Sequence, residues 1–396
     1  MGTLARKIDW HHLALQGTLF IGVGAVWSYG AVLMLSRGLS NSAVGVVTCV
    51  AQLLPMVLQG FTARVCEGGG RMTPRRMILL LSAVTIALLV ITCCFPRSLW
   101  LVIAAFTVVA VVLNLIIPLI NIMIVPYILR GVDLNYGFGR SAGSFGYALS
   151  SAVLGFVLEG RDAILIVPVM AASLALQMVA AYTFRYPLPE GEDAAGETDA
   201  GTVSRMEVLR SRRDFTVMLI ALSLLIGVHN VNNVFMVHVI RRIGGAESWL
   251  GIVIGVSSGM EVAGMPFCRR LRGKLGIGGV MRLSALFYVV RVLSLLFAPS
   301  PLVLCLTSLL QALQCGLMLP AVVYYVADIL PPRWQSHGQS LMHLFPNCFS
   351  PAIVSLLAGM VLDHWGVNIA LSGMLVCTVI GAALVWAATG KKGNRL

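Results

Sequence analysis

Residues 45–65 read GVVTCVAQLLPMVLQGFTARV, and residues 251–271 read GIVIGVSSGMEVAGMPFCRRL. Each is an apolar run that starts on a glycine and ends in a basic, glycine-containing loop. The loops are RVCEGGGRMTPRR at Arg64–Arg76 and RRLRGKLGIGGVMR at Arg269–Arg282. Roughly 20 apolar residues cross the hydrocarbon core of a bilayer as a helix. Both runs therefore read as membrane spans, and their recurrence about half a chain apart reads as a duplication.

Working outward from these two runs, spans fall at about 11–36, 41–63, 77–95, 99–129, 136–159, 163–184, 214–240, 248–268, 279–298, 302–329, 336–361 and 366–389. The longest are accommodated by tilt. The predicted fold is an all-α membrane protein of twelve transmembrane helices in two pseudo-symmetric six-helix bundles, 1–184 and 214–396. Residues 185–213 form the one long polar stretch. It combines Pro187, Pro189, the acidic and small-residue piece Glu190–Gly201, and the basic edge Arg205, Arg210, Arg212 and Arg213. Such a composition builds no core and reads as a cytoplasmic linker. Met1–Trp10 is short and charged, and the long run after it has no small-residue cleavage site, so it reads as a retained first span.

Composition agrees. Of the 396 residues 58% are hydrophobic and 11% charged, and the mean hydropathy is +0.90. A soluble domain carries about 25% charged residues. The net charge of +12 does not indicate nucleic acid, because the basic residues sit in short loops between apolar runs. With the N-terminus inside, the cytoplasmic segments hold twenty Lys or Arg, from Arg6 and Lys7 to Lys391, Lys392 and Arg395. The outer loops hold five: Arg37, Arg97, Arg161, Arg241 and Arg242. This asymmetry places both termini in the cytoplasm of a cell-membrane protein. The nine cysteines form no CxxC and read as small buried hydrophobes. HExxH, GxSxG and a phosphate-binding GxxxxGK[ST] are absent, so neither an enzyme nor a nucleotide-driven pump is indicated. No cofactor or metal is expected. Duplicated halves joined by a central linker are the plan of carriers that alternate access to a midplane site.

Twelve spans with basic glycine loops after the second and eighth resemble the major facilitator superfamily. Within it the chain is similar to the lactose-permease-like branch of oligosaccharide/proton symporters. The segments that carry this are YGFGRSAGSFGYAL (Tyr136–Leu149), IGVHNVNNVF (Ile226–Phe235), SGMEVAG (Ser258–Gly264), VVRVLSLL (Val289–Leu296), LLQALQCGLML (Leu309–Leu319) and SLLAGMVLDHWG (Ser355–Gly366). The resemblance implies that Glu261 binds sugar, that Arg291 assists proton release, and that Arg140 and Tyr147 form a sugar-binding pair. It also places the family's coupling histidine and glutamate on Gln311 and Gln314, which do not titrate. The family's acid of the fourth span falls at or near Asn121, and a charged pair falls on Asn233 and Asn347. The scaffold is kept and much of its charge is gone.

The residues carry their own argument. A charge in the bilayer costs about 2.5–3.5 kcal/mol by insertion scales, so Glu261 and Arg291 need a role, as a coupling pair or as a structural ion pair. Arg140 and Tyr147 lie two turns apart on one face. A guanidinium bonds hydroxyls and a ring stacks on a pyranose; interfacial and packing roles are the alternatives. His229, Asn232, Asn233 and Met236 share one stripe. Gln311 and Gln314 form a second polar stripe, and Asn114 and Asn121 a third, each read as ligand contact or interhelical glue. Gly251, Gly255 and Gly259, with Gly139, Gly143 and Gly146, are read as small-residue faces where the fifth and eighth spans slide. Asp328 reads as a gate or loop contact. The function expected is secondary transport of a small organic solute, a sugar or glycoside first, with proton coupling through Glu261 and Arg291. The alternatives are a drug, amphiphile or sugar exporter and an uncoupled facilitator. The chain is expected to act as a monomer in the lipid bilayer.

Overall fold

The computed structural model describes residues 2–67, 72–132, 134, 136–187, 209 and 212–390. Arg71, most of the predicted linker (including Glu190–Gly201, Arg205 and Arg210), Lys391, Lys392 and Arg395 lie outside the described residues. So do the side chains of Glu67 and Arg333. Among the described residues there is no strand.

The first half runs α1 (Gly2–Ser36), α2 (Asn41–Glu67), α3 (Pro74–Cys94), α4 (Leu99–Leu129), α5 (Tyr136–Leu158) and α6 (Ile166–Thr183). The second runs α7 (Arg213–Arg242), α8 (Glu247–Phe297), α9 (Pro301–Thr307), α10 (Cys315–Ile329), α11 (Pro332–Leu344) and α12 (Ser350–Gly390). Ten helical stretches are long and apolar enough to cross a membrane. Two of them, residues 247–297 and 337–390, hold 51 and 54 residues. A straight 51-residue helix would be about 76 Å long, more than twice a core of about 30 Å. Each folds back at a glycine with positive φ: Gly276 (φ 67°, ψ 171°) and Gly366 (φ 79°, ψ −179°). A side chain rarely adopts that backbone, which is why the turns fall on glycine. Each glycine divides its stretch into two helical limbs.

Local chemistry sets several ends. Thr73 accepts from the Arg76 amide while Pro74 opens α3, and Ser300 does the same for Val303 ahead of Pro301 in α9. Asp162 accepts from the Ile164 amide at 2.8 Å and from Arg37 at 2.6 Å, tying the outer ends of α1 and α6. The carboxylate of Asp363 accepts from the backbone amides and side chains of Asn41 and Ser42, at 2.6–3.0 Å, and so caps α2 from another helix.

The chain divides into two compact units. Unit 1 is Met1–Leu39, Val50–Glu197 and Leu250–Gly255; unit 2 is Ser40–Cys49, Thr198–Trp249 and Val256–Leu396. In unit 1, α1 is the central helix and packs on α4, α5 and α6. Its backbone approaches α5 so closely that a Cβ on Gly146 would lie 2.5 Å from the Gly17 carbonyl. This corrects the expected glycine face: Gly139, Gly143 and Gly146 meet His12, Phe20 and Gly17 of α1, not the eighth span. Gly251 and Gly255 do meet α5, at Ser151, Gly155, Ala148 and Ala152, whereas Gly259 faces open space. In unit 2, α7 packs along α12 around a core that includes Phe215, Leu222, Tyr288, Leu317 and Val385. Large apolar side chains such as Val57 (76% exposed) and Trp100 (79%) stand on the outside, the pattern of a lipid-facing surface.

Candidate functional site

The tenth span is broken. After α9 the chain makes a 3-10 turn over Ser308–Ala312, and Gln314 (φ −82°, ψ −97°) leaves helical geometry before α10 begins. A break frees backbone groups that a membrane cannot hydrate. Here the Leu304 and Gln314 carbonyls flanking the turn keep helical partners, the Ser308 and Met318 amides, and each takes a further donor from α8. Ser284 Oγ of α8 donates to the Gln314 carbonyl at 2.6 Å, and Arg291 Nη1 donates to the Leu304 carbonyl at 3.4 Å. The first limb of α8 presses onto the break through reciprocal glycines: a Cβ on Gly264 would strike Ala312, and one on Gly316 would lie 2.8 Å from the Glu261 carbonyl. The eleventh span carries its own irregularity, a π-turn over Phe345–Phe349.

The break delivers Gln311 and Gln314 to His229 of α7. Gln311 Nε2 lies 3.2 Å from His229 Nε2, Gln314 Nε2 lies 3.5 Å from Nδ1, and Asn233 Nδ2 lies 3.4 Å from Nε2. The two glutamines are 2% and 1% exposed. The far end of each amide, Oε1, is buried with no hydrogen-bond partner. Beside this ring of amides sits Arg291, 5% exposed. Its guanidinium donates to Ser308 Oγ at 2.9 Å, Thr307 Oγ1 at 3.1 Å and Ser257 Oγ at 3.4 Å, besides the Leu304 carbonyl. These groups, with Asn232, Tyr288, Thr378 and an apolar wall of Leu225, Val228, Met236, Val292 and Leu295, enclose a cavity in unit 2. About 10 Å³ of it is open to the centre of a water-sized sphere, which is room for a single water.

The predicted stripe His229, Asn232, Asn233 and Met236 thus lines one cavity with Gln311, Gln314 and Arg291. The expected approach of Glu261 to Arg291 does not occur. Arg291 is held by three hydroxyls and a carbonyl, and no carboxylate pairs with it among the described residues. The reason is distance along the helix: Ser257, one turn earlier and about 6 Å away along the axis, occupies the level of the guanidinium. Asn233 and Asn347 do not bond each other; each turns to a histidine of its own helix, His229 and His343. Asp328 pairs with Arg272 at 3.4 Å, and Arg272 also covers the Tyr324 ring at 4.4 Å.

In unit 1, Arg140 lies over the Phe20 ring at 4.5 Å, and Tyr147 Oη accepts from Ser28 Oγ at 3.2 Å. Asn121 is half-buried on α4. Asn114 donates back to the Ala110 carbonyl of its own helix at 2.8 Å. Tyr29 and Tyr325 are buried packing groups that donate to the carbonyls of Ser151 and Asp214. Sequence reasoning missed Ser257, Thr307, Ser308, Tyr288 and Phe20. Ser257 carried a signal, since it stands four residues before Glu261 on the same face. The others carried none above the background of polar and aromatic residues in membrane helices.

Comparison with known proteins follows from this geometry. The family model described as the MFS_1 like family matches residues 13–371. A maltose permease of Geobacillus stearothermophilus is 25% identical over 372 residues, covering 93% of this chain and 91% of its own. An uncharacterized transporter, YwbF, of Bacillus subtilis (strain 168) is 23% identical, covering 89% and 87%. Among solved structures, the nucleoside transporter NupG superposes with a TM-score of 0.78 at 14% identity, over 97% of this chain and 99% of that one. A D-xylose-proton symporter does so with a TM-score of 0.68 at 16% identity, over 96% and 97%.

Proposed function

This chain belongs to the MFS_1 like family, and as a multi-pass secondary transporter of that family we propose that it carries a sugar or glycoside by alternating access. The observation that supports this reading best is the interrupted tenth span, whose break brings Gln311 and Gln314 to His229 of α7 at one buried cavity. Discontinuous helices near the midplane are where carriers of this architecture bind solute. Amides offer both donors and acceptors to hydroxyls. The similarity to a maltose permease points the same way.

His229, Asn232, Asn233, Gln311 and Gln314 are assigned to the solute in the second half. In the first half Arg140, Tyr147 and Asn121 are assigned as solute contacts in their own right. The bundles 1–184 and 214–396 are the moving bodies and 185–213 their linker. Both termini lie in the cytoplasm, on the twenty-to-five count of basic residues. The protein acts as a monomer in the cell membrane.

Proton coupling is assigned to Glu261, the acid that stands beside the break at Gly316. In vesicles with an imposed pH gradient the protein should concentrate sugar. Glu261→Gln should still exchange sugar but only equilibrate it. Unchanged accumulation by Glu261→Gln would remove Glu261 from the mechanism. A second reading, an uncoupled facilitator or an exporter of amphiphiles, is favoured by one observation: the amides of Gln311 and Gln314 do not titrate and share the cavity with an apolar wall. Absence of any gradient-driven accumulation by the unmutated protein selects it.

A further inference from the structure

A buried guanidinium without a counter-charge is a costly object in a membrane. Placing Arg at the centre of a spanning helix costs about 2.5–3.5 kcal/mol by insertion scales. Arg291 meets only neutral oxygens, at 2.9–3.4 Å. Two further groups on the same cavity are incompletely paired. Gln311 and Gln314 each bring one end of the amide to His229 and leave the other end buried and unbonded. Exchanging O and N in either amide leaves an unbonded end all the same. Asn232, 7% exposed, also lines the cavity. Unpaired buried polar groups such as the two glutamine ends cost about 1–3 kcal/mol each, and both lie beside one uncompensated cation.

The groups are complementary to a particular ligand. A cation and an amide N–H call for an anionic acceptor, and two unbonded amide ends call for hydroxyls, which donate and accept. The cavity as it stands holds one water, so a solute end group enters it only with the widening that alternating access supplies. We propose that the solute is a sugar acid, whose carboxylate seats on Arg291 and Asn232 and whose adjoining hydroxyls meet the free amide ends of Gln311 and Gln314. This rests on the transporter reading above and narrows it from neutral sugars to hydroxylated carboxylates. The seat takes the carboxylate as the anion, so binding neutralises the guanidinium without moving a proton.

The test uses the full chain in proteoliposomes, with radiolabelled glucuronate and glucose as probes at equal concentration. Glucuronate should enter at least about tenfold faster than glucose, the advantage of one charge-assisted hydrogen bond. Arg291→Gln should abolish that preference, and Arg291→Lys should keep part of it. Thermal unfolding of the unmutated protein gives a reading independent of any variant: glucuronate should raise Tm and glucose should not. Entry of glucose but not glucuronate overturns the inference and leaves the sugar-carrier reading intact. Entry of neither overturns both. Glucuronate entry undiminished in Arg291→Gln overturns the assignment of the carboxylate seat.

Discussion

The two units handle buried polarity differently. In unit 1 much of it forms staples between neighbouring helices, although Gln16 Oε1, Ser82 Oγ and Gln177 Nε2 are buried there without a partner. Ser28 bonds Ser151 and Tyr147, Tyr29 bonds the Ser151 carbonyl, and Ser173 bonds the Thr18 carbonyl at 2.7 Å. Its six helices α1–α6 run unbroken through their spans, even past Pro118 and Pro126 in α4. In unit 2 the tenth span is broken, the eleventh carries a π-turn, and a guanidinium is buried without a carboxylate among the described residues. Staples hold a scaffold. Interruptions and unpaired groups keep polar atoms free for something that arrives later. The difference is one of continuity: unit 1 is a continuous scaffold and unit 2 an interrupted one.

The largest test of that contrast is steric. Gly264→Val places a side chain against Ala312 at the break, where even a Cβ collides with backbone. It should destabilise the protein by about 3 kcal/mol, seen as a lowered Tm, and should reduce solute uptake further than the lost folded fraction explains. Gly259→Val, on the same helix and facing open space, should do neither.

His229→Leu is next. It removes the group that bonds Gln311, Gln314 and Asn233, so three amides lose a partner, at about 1–3 kcal/mol for each that stays buried and dry. Uptake should fall while the shape of unit 1 is kept. Full uptake by His229→Leu would show that the amide ring is glue and not a solute seat.

The smallest effect is at the surface of unit 1. The backbone amide of Ile164, and then the Arg37 guanidinium, hold the Asp162 carboxyl below its ordinary value of 3.8. A carboxylate with a depressed folded value adds stability above its unfolded value and loses it as pH falls through the folded one. The contribution should therefore be complete at neutral pH and fade below about pH 4. Asp162 is 53% exposed, so Asp162→Asn should cost under about 1 kcal/mol. Tm of the variant and the unmutated protein should converge in acid, with no change in uptake at neutral pH.

Much of this was legible beforehand because hydrophobic length is a local property. Apolar runs of about twenty residues mark spans wherever they occur, and of the two positive-φ turns Gly276 fell between predicted spans and Gly366 on the first residue of one. The stripe His229–Asn232–Asn233 was legible for the same reason, as helical period puts it on one face whatever lies opposite. The break at Ser308–Gln314 was not. Its sequence, SLLQALQ, contains neither proline nor glycine and reads as an ordinary helix.

The sequence by itself determined that this chain is a multi-pass helical membrane protein and which helix face is polar. Each of these follows from residues near one another in the chain. The tertiary structure decided how the tenth span is braced at its break, where the Gln314 and Leu304 carbonyls each take a donor from α8 besides their own helical partners. It also decided that Arg291 faces hydroxyls while Glu261 sits a turn away. Which partner a buried charge meets depends on the level at which two helices cross, and that level is set by close packing at Gly264 and Gly316 rather than by any pattern along the chain.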